Sequence, residues 1–206
     1  MHALFFEVTP KPGHMDNYFR RAAALKPLVE KSGGLIFLDR YMSLLRPDTV
    51  LSYQYWKDDA ALARWRADAK HYLAQKAGRD VHFADYRLRI TQIVQSFDRD
   101  ERSEGDINEF ASAEPVPAEP RFVASVESVG EPFARGEAFK SINRDNTYVS
   151  VLHIANEAEG REIIHDASAQ DFVTGARLCL VVRDYGMFDR SEAPQSFAPA
   201  KASAGA

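Results

Sequence analysis

The chain has 206 residues, 45% hydrophobic and 27% charged, with a formal net charge of −4, which suits one large domain or two small ones and is too apolar for a disordered chain. A single cysteine, Cys179, excludes an internal disulfide and a zinc finger, and no apolar run approaches the ~18–20 residues of a membrane-spanning helix. Residues 1–97 carry 15 Lys/Arg against 10 Asp/Glu and residues 98–120 carry 2 against 8, so nothing resembles the dense basic stripe that nucleic acid requires.

Met1 to Val8 enters a strand pattern directly, with no basic region or cleavage site. The expectation is a cytoplasmic protein without a secretory signal. Ala3–Val8 (ALFFEV) reads as a strand ended by Lys11-Pro12-Gly13. Met15, Tyr18, Phe19, Ala22, Leu25 and Val29 then follow helical spacing, with Pro27 expected to kink or shorten that helix and Gly33-Gly34 to stop it. Leu35–Ser43 and Thr49–Trp56 read as two strands around the turn Arg46-Pro47-Asp48. Asp58 stands at an N-cap position ahead of Leu62, Trp65 and Ala69 at helical spacing. Asp85–Phe97 alternates as a strand, with Arg87 and Arg89 on one face and Leu88 and Ile90 on the other. This β-α-β-β-α-β order is the ferredoxin-like plan, whose sheet keeps one bare face unless a second sheet covers it.

Phe97–Pro120 is rich in charge, Pro, Ser and Ala and reads as a linker over residues 98–120; residues 191–206 read as a mobile tail. Between them, residues 121–190 look like a worn copy of residues 1–97. A shift of 98 residues pairs Tyr41–His71 with Phe139–Ala169 without a gap, matching Ser43 to Ser141, Arg46 to Arg144, Thr49 to Thr147, Ser52 to Ser150 and Asp68 to Asp166. The closing strands match Arg87-Leu88 to Arg177-Leu178 and Phe97-Asp98-Arg99 to Phe188-Asp189-Arg190. Between the strand Phe122–Val129 and Phe139 there is no room for a helix, so the second repeat has lost its first one.

The segments EVTPKPG, LKPLVE, GGLIFLDRYMSL, VLSYQYWKDDAALARWR, HYLAQKAGR and FADYRLRI resemble the antibiotic biosynthesis monooxygenase family across residues 1–97. RDYGMFDRSEAP resembles the usual ending of such domains. The resemblance implies an α+β fold of the dimeric α+β barrel type, here two ferredoxin-like repeats in one chain forming the barrel that two subunits usually share. A further homodimer stays open, since an uncapped sheet edge can still pair. It also implies a cavity between helices and sheet for a small aromatic or quinone-like substrate, which reacts with oxygen without a cofactor. Heme binding or heme degradation is the alternative, and a non-catalytic binding protein of the same fold is the second. Against heme degradation, Gln75 and Phe6 stand where that branch has its histidine ligand and its asparagine.

Within that frame Trp65 is the expected aromatic wall or a core residue. His71 is the expected general base, or a surface histidine. An unbroken helix from Asp59 would turn it about 150° away from the Leu62/Trp65/Ala69 face, unless Asp68 caps a second short helix and resets the phase. Arg87 and Arg89 are expected either to hold a substrate oxyanion or to pair with carboxylates of the other repeat. Tyr53 and Tyr55 share one strand face with Trp56 opposite, and either set suits a pocket lining or a core. The second repeat has His153, Ile154 and Ile163 in place of Tyr55, Trp56 and Trp65, which places any chemistry in the first. No GxGxxG, P-loop, serine elbow or HExxH is present, and Asp58-Asp59 and Glu157/Glu159 suit helix starts rather than a metal.

Overall fold

The computed structural model describes residues 1–99, 106–111 and 116–194. Its first half runs β1 (His2–Pro10), α1 (Met15–Lys31), β2 (Leu35–Ser43), β3 (Val50–Trp56), α2 (Asp59–Ala67), α3 (Ala69–Ala77) and β4 (Phe83–Asp98). A short β5 (Ile107–Glu109) follows, and the second half is β6 (Phe122–Val129), β7 (Glu137–Ser141), β8 (Thr147–Ile154), α4 (Glu157–Ser168) and β9 (Val173–Gly186). No helix stands between β6 and β7, as the short spacing required.

Local chemistry explains the breaks. Helix α1 passes through Pro27 and is not shortened; burial of Tyr18, Ala22 and Val29 on its inner face offsets the hydrogen bond that the ring removes. Gly34 takes φ +92°, and a Cβ there would meet the Ala61 Cβ at 2.4 Å, so glycine is what lets α2 sit against the start of β2. Asp58 caps α2 by accepting the Ala61 N–H at 2.8 Å, and Asp68 caps α3 by accepting the His71 N–H at 2.9 Å. The helical segment is therefore broken at Asp68, and His71 starts from a new phase.

Every strand pairing is antiparallel. The first half has the order β4-β1-β3-β2 and the second the corresponding order β9-β6-β8-β7. Pairing of β2 with β7 and of β4 with β9 closes these eight strands into one ring, with β5 added beside the far end of β4. A single chain thus builds the α+β barrel of two ferredoxin-like repeats, and the sheet face left bare in one repeat is covered by the other.

The ladder registers test the duplication residue by residue. Phe5 lies opposite Tyr53 and Arg89, while Ser125 lies opposite Val151 and Arg177. The hairpin therefore keeps the 98-residue shift, and Asn156 caps α4 as Asp58 caps α2. The closing strands need a correction: Arg177 corresponds to Arg89, two residues along from the Arg87 that the sequence match chose. A two-residue slip keeps every side chain on its own face, and Arg87-Leu88 and Arg89-Ile90 present the same cation-aliphatic pattern.

Strand alternation divides the core into layers. Phe5, Tyr41, Leu51, Tyr53, Ile93, Phe139 and Cys179 fill the barrel interior, where burial pushes the Cys179 thiol up to about 12. Leu4, Val29, Trp56, Leu62, Trp65 and Ile90 pack between the outer sheet face and helices of the first half. Phe122, Leu152, Ile154, Ile163 and Leu178 do the same in the second.

The expected linker carries β5, paired with Gln95–Phe97. The expected tail, residues 191–206, includes Glu192, which holds Arg121 at 2.6 Å and accepts the Asp184 N–H at 2.7 Å. The rest of those segments, residues 100–105, 112–115 and 195–206, lies outside the described residues. Among the described residues no helix is long and apolar enough to cross a membrane.

Candidate active site

A cavity of about 400 Å³ lies between the outer sheet face of the first half and helices α1, α2 and α3. Leu4, Phe6, Leu38 and Leu88 give it an apolar floor, and Leu25, Val29 and Trp65 an apolar side. Tyr185, Arg190 and Pro194 of the second half also line it, so the worn repeat helps to shape the cavity.

The break at Asp68 brings His71 onto this cavity's wall. Its ring stacks on Trp65 with centroids 4.2 Å apart and planes 13° from parallel. Nδ1 lies 2.9 Å from the Trp65 carbonyl oxygen. A carbonyl only accepts, so Nδ1 carries the proton and donates it, and Nε2 is the unprotonated nitrogen. The Gln75 amide nitrogen is 3.4 Å from each ring nitrogen. Burial lowers the His71 pKa, against the opposing pull of the Trp65 carbonyl and Asp68, so the ring is neutral at pH 7. A neutral imidazole with a fixed tautomer has the form that a general base needs.

The polar groups around the cavity are mostly donors. Arg79 and Arg190 both donate to the Tyr86 hydroxyl at 2.8 Å. Arg21 lies 3.2 Å from His82 Nε2, and His82 Nδ1 lies 2.9 Å from His14 Nδ1. Arginine only donates, so His82 accepts at Nε2 and donates from Nδ1 to His14. Burial, then Arg21 and His14, lower the His82 pKa. Arg40 reaches the Tyr18 hydroxyl from β2, and burial raises that phenol in spite of the cation. Gln54 on β3 is held by the Trp56 indole N–H at 2.9 Å and itself donates to Ser52 at 3.1 Å.

Of the residues singled out from the sequence, the fold brings Trp65 and His71 to this cavity. Trp56 is buried in the same layer but lies behind Gln54 rather than on the lining. Tyr53, Tyr55, Arg87 and Arg89 are on the opposite sheet face, because β3 and β4 alternate and their neighbours Gln54 and Leu88 point to the helices. Arg87 and Arg89 line a different cavity of about 350 Å³ at one mouth of the barrel. There each cation is matched: Arg89 by Glu7, Arg46 by Glu7 at 2.6 Å and by Glu137 at 2.7 Å, Arg87 by Asp184 at 2.6 Å. At the opposite mouth Tyr55, the counterpart of His153, hydrogen-bonds Glu127. Among the described residues no group of three or more His, Cys, Asp or Glu is placed to hold a metal ion.

Sequence reasoning missed Arg40, Gln54, Tyr18 and Tyr86. The available signal was the comparison of the two halves, since the 98-residue shift sets Ala138 opposite Arg40 and Leu152 opposite Gln54.

The cavity makes a stability prediction for Trp65, which is 7% exposed. A tryptophan enclosed on all sides costs ~3–5 kcal/mol when cut to alanine. One side of Trp65 faces space that is already empty, so Trp65→Ala should cost about 2–3 kcal/mol in a urea unfolding titration.

Comparison with known proteins follows this geometry. Residues 1–77 match the family model described as antibiotic biosynthesis monooxygenase. A curated protein of Pyricularia oryzae named jasmonate monooxygenase ABM is 29% identical, the alignment covering 97% of this chain and 100% of that protein. Among solved structures, a Lactobacillus acidophilus protein is 8% identical with a TM-score of 0.44, covering 88% of this chain and 92% of that one. An anthrone oxidase-like protein is 11% identical with a TM-score of 0.39, covering 94% and 95%.

Proposed function

Residues 1–77 carry an antibiotic biosynthesis monooxygenase domain, and from that premise we propose that the chain is a monooxygenase. In this reading it oxidises a small aromatic or quinone-like molecule in the outer cavity without a bound cofactor. The observation that carries it is His71, neutral, stacked on Trp65 and fixed through Nδ1 to the Trp65 carbonyl. The full-length relative named as a monooxygenase supports the reaction class.

The substrate lies flat on the apolar floor beside Trp65, with an acidic C–H next to a carbonyl. His71 Nε2 removes the first proton, and the enolate that forms is stabilised by the arginine-rich wall. The enolate gives one electron to oxygen, and the resulting pair joins as a hydroperoxide. Loss of the second hydrogen and of the O–O bond releases water and leaves a new carbonyl. One oxygen atom enters the product and the other leaves as water, and the substrate supplies all the electrons. No reductant is needed. Phe6 and Gln75 both line this cavity, where heme-degrading relatives would carry an asparagine and a histidine, which favours the cofactor-free reading over heme. Because the barrel closes within the chain, the working unit in this proposal is one molecule.

The test is an oxygen electrode with anthrone as substrate and no added metal, flavin or reductant. One oxygen should be consumed for each anthrone oxidised, unaffected by a chelator. A Soret band on adding heme, with no anthrone turnover, would replace this reading by the heme alternative.

A further inference from the structure

The two halves of the chain present the same sheet face to helices. In the second half that face is closed and apolar, with Leu152, Ile154, Val173 and Leu178 in one cluster with Ile163 and Ile164 of α4. The ladders set Tyr86 opposite Val8 and Val173 opposite Ser128, and Val8 and Ser128 are counterparts on β1 and β6. Where the second half buries a valine, the first half places a phenol on the cavity lining. Barrel closure does not require that phenol, since the second half closes without one.

Tyr86 is held from several sides. Its ring is flanked by Phe6 and Phe83, with centroids 5.8 and 6.3 Å away. Its hydroxyl oxygen accepts from Arg79 and from Arg190, each at 2.8 Å. A phenol oxygen that accepts twice has its lone pairs engaged, and the O–H is what it still offers. Among the described residues that O–H donates to nothing. Accepting from two cations polarises the hydroxyl toward donating. Neither arginine is without other partners, so the pair is held in place and acts on the cavity through Tyr86.

The two arginines come from different parts of the chain. Arg79 lies in the turn Gly78–His82 that follows α3. Arg190 belongs to the second half and is delivered by the turn after β9. There the Met187 N–H donates to the Tyr86 carbonyl at 3.0 Å, and the Gly186 N–H to the Asp189 carbonyl at 2.8 Å. The second half is thereby tied to both the backbone and the hydroxyl of one residue of the cavity lining.

We propose that the Tyr86 hydroxyl is the donor that receives the oxyanion formed on the substrate, and that Arg190 of the second half is its positioning residue. The assignment rests on the reading of this cavity as the oxygenase site and adds a residue to it. When His71 Nε2 takes the proton from carbon, charge moves to the substrate's carbonyl oxygen, which accepts from Tyr86. The tyrosine keeps its own proton. A single directed donor also fixes which oxygen is held, and so which carbon faces His71.

The experiment uses 4-nitrophenolate as a stable oxyanion and nitrobenzene as its neutral counterpart. Both are bound to the full chain at pH 8.5, where His71 is neutral. The phenolate should bind roughly 10-fold more tightly or better, the effect of one hydrogen bond to a charged group. Tyr86→Phe should bring the two affinities within about 2-fold by removing that bond, with nitrobenzene binding nearly unchanged. The absorption band of the bound phenolate should also move to longer wavelength, as loss of a donor to its oxygen requires. Arg190→Met should lose part of the preference and Arg190→Lys should restore it. In turnover, Tyr86→Phe should lower kcat for anthrone by about 10²–10³ with little change in KM, as loss of one oxyanion donor does. Equal affinities in the unsubstituted protein would overturn the proposal, and this arm depends on no variant folding. A preference that survives Tyr86→Phe would overturn Tyr86 as the donor and pass the oxyanion to the arginines directly. An unchanged preference in Arg190→Met would remove Arg190 from its role. Binding is read without turnover, so phenolate preference with no oxygen consumption sinks the oxygenase reading alone. Oxygen consumption with no phenolate preference sinks this proposal alone.

Discussion

His71→Gln should lower kcat/KM for anthrone oxidation by about 10²–10⁴, the usual worth of a positioned general base. The size follows from the geometry. Nδ1 is committed to the Trp65 carbonyl at 2.9 Å and the ring is stacked on Trp65 at 4.2 Å, so the imidazole reaches the reaction in one tautomer and one orientation. Glutamine keeps similar bulk and an amide donor for the same carbonyl but has no basic nitrogen. The pH profile supplies the readout that a structural role would not move. Burial sets the His71 pKa below its ordinary 6.5, so the base is free above that lowered value and protonated below it. Activity should therefore be flat from neutral pH upward and fall on an acid limb with its midpoint below 6.5. That limb should vanish in His71→Gln. His82 also has a lowered pKa but is tied to Arg21 and His14, and His82→Gln should leave the limb in place. The same shift has a stability consequence. Below pH 6.5 the unfolded chain binds the proton before the folded one, so the fold loses stability as pH falls from 6.5 toward the lowered pKa. His71→Gln should lose less over that interval. A rate unchanged by the substitution would move proton removal to the solvent or to the substrate's own acidity.

What was legible in the sequence and what was not divides along physical lines. The hairpin, the helix caps at Asp58 and Asp68 and the missing first helix of the second half all depend on local chemistry, which residues carry wherever the chain goes. The side on which each strand residue faces is a different kind of information. In VLSYQYW almost every position is buried, because one face fills the barrel and the other meets the helices. A strand covered on both faces shows no polar-apolar alternation, so the pattern set Tyr53 and Tyr55 opposite Trp56 without telling which face meets the helices. The Arg87/Arg89 ambiguity has the same origin, since a two-residue slip is invisible to a period of two. Arg40 and Gln54 were overlooked because polar residues on a strand read as solvated until a helix is seen to cover them. Their significance appears only when the two halves are overlaid and one face proves apolar and the other not.

Glu7→Gln should destabilise the chain by about 3–5 kcal/mol, the cost of leaving a buried charge without its partner. Arg89 is 2% exposed and bonded to Glu7, and its Nε–H already has no acceptor. The second half repeats the pair of positions with Glu127 and Arg177, but there Arg177 bonds the Phe97 carbonyl at 2.6 Å and pairs with Asp98. Arg177 thus has acceptors other than its own glutamate, whereas among the described residues the further polar contact of Arg89 besides Glu7 is with His153 Nε2 at 3.3 Å. The pH dependence carries a definite sign. Burial alone would raise the Glu7 carboxyl, but the Arg89 and Arg46 guanidiniums outweigh it and hold it below the ordinary 4.5. Its contribution is therefore complete above that value and is lost as pH falls through the lowered folded pKa. Unfolding curves of the unsubstituted protein and of Glu7→Gln should converge in acid. Replacing both partners, Glu7→Gln with Arg89→Met, should recover much of the loss, since no charge then remains buried alone. The pair also decides what Arg89 is for. It lies on the sheet face turned away from the His71 cavity, so at a temperature where Glu7→Gln is folded its kcat/KM should stay within about 3-fold of normal. A loss of activity as large as that of His71→Gln, in a folded protein, would return Arg89 to the chemistry and place the substrate in the barrel mouth instead.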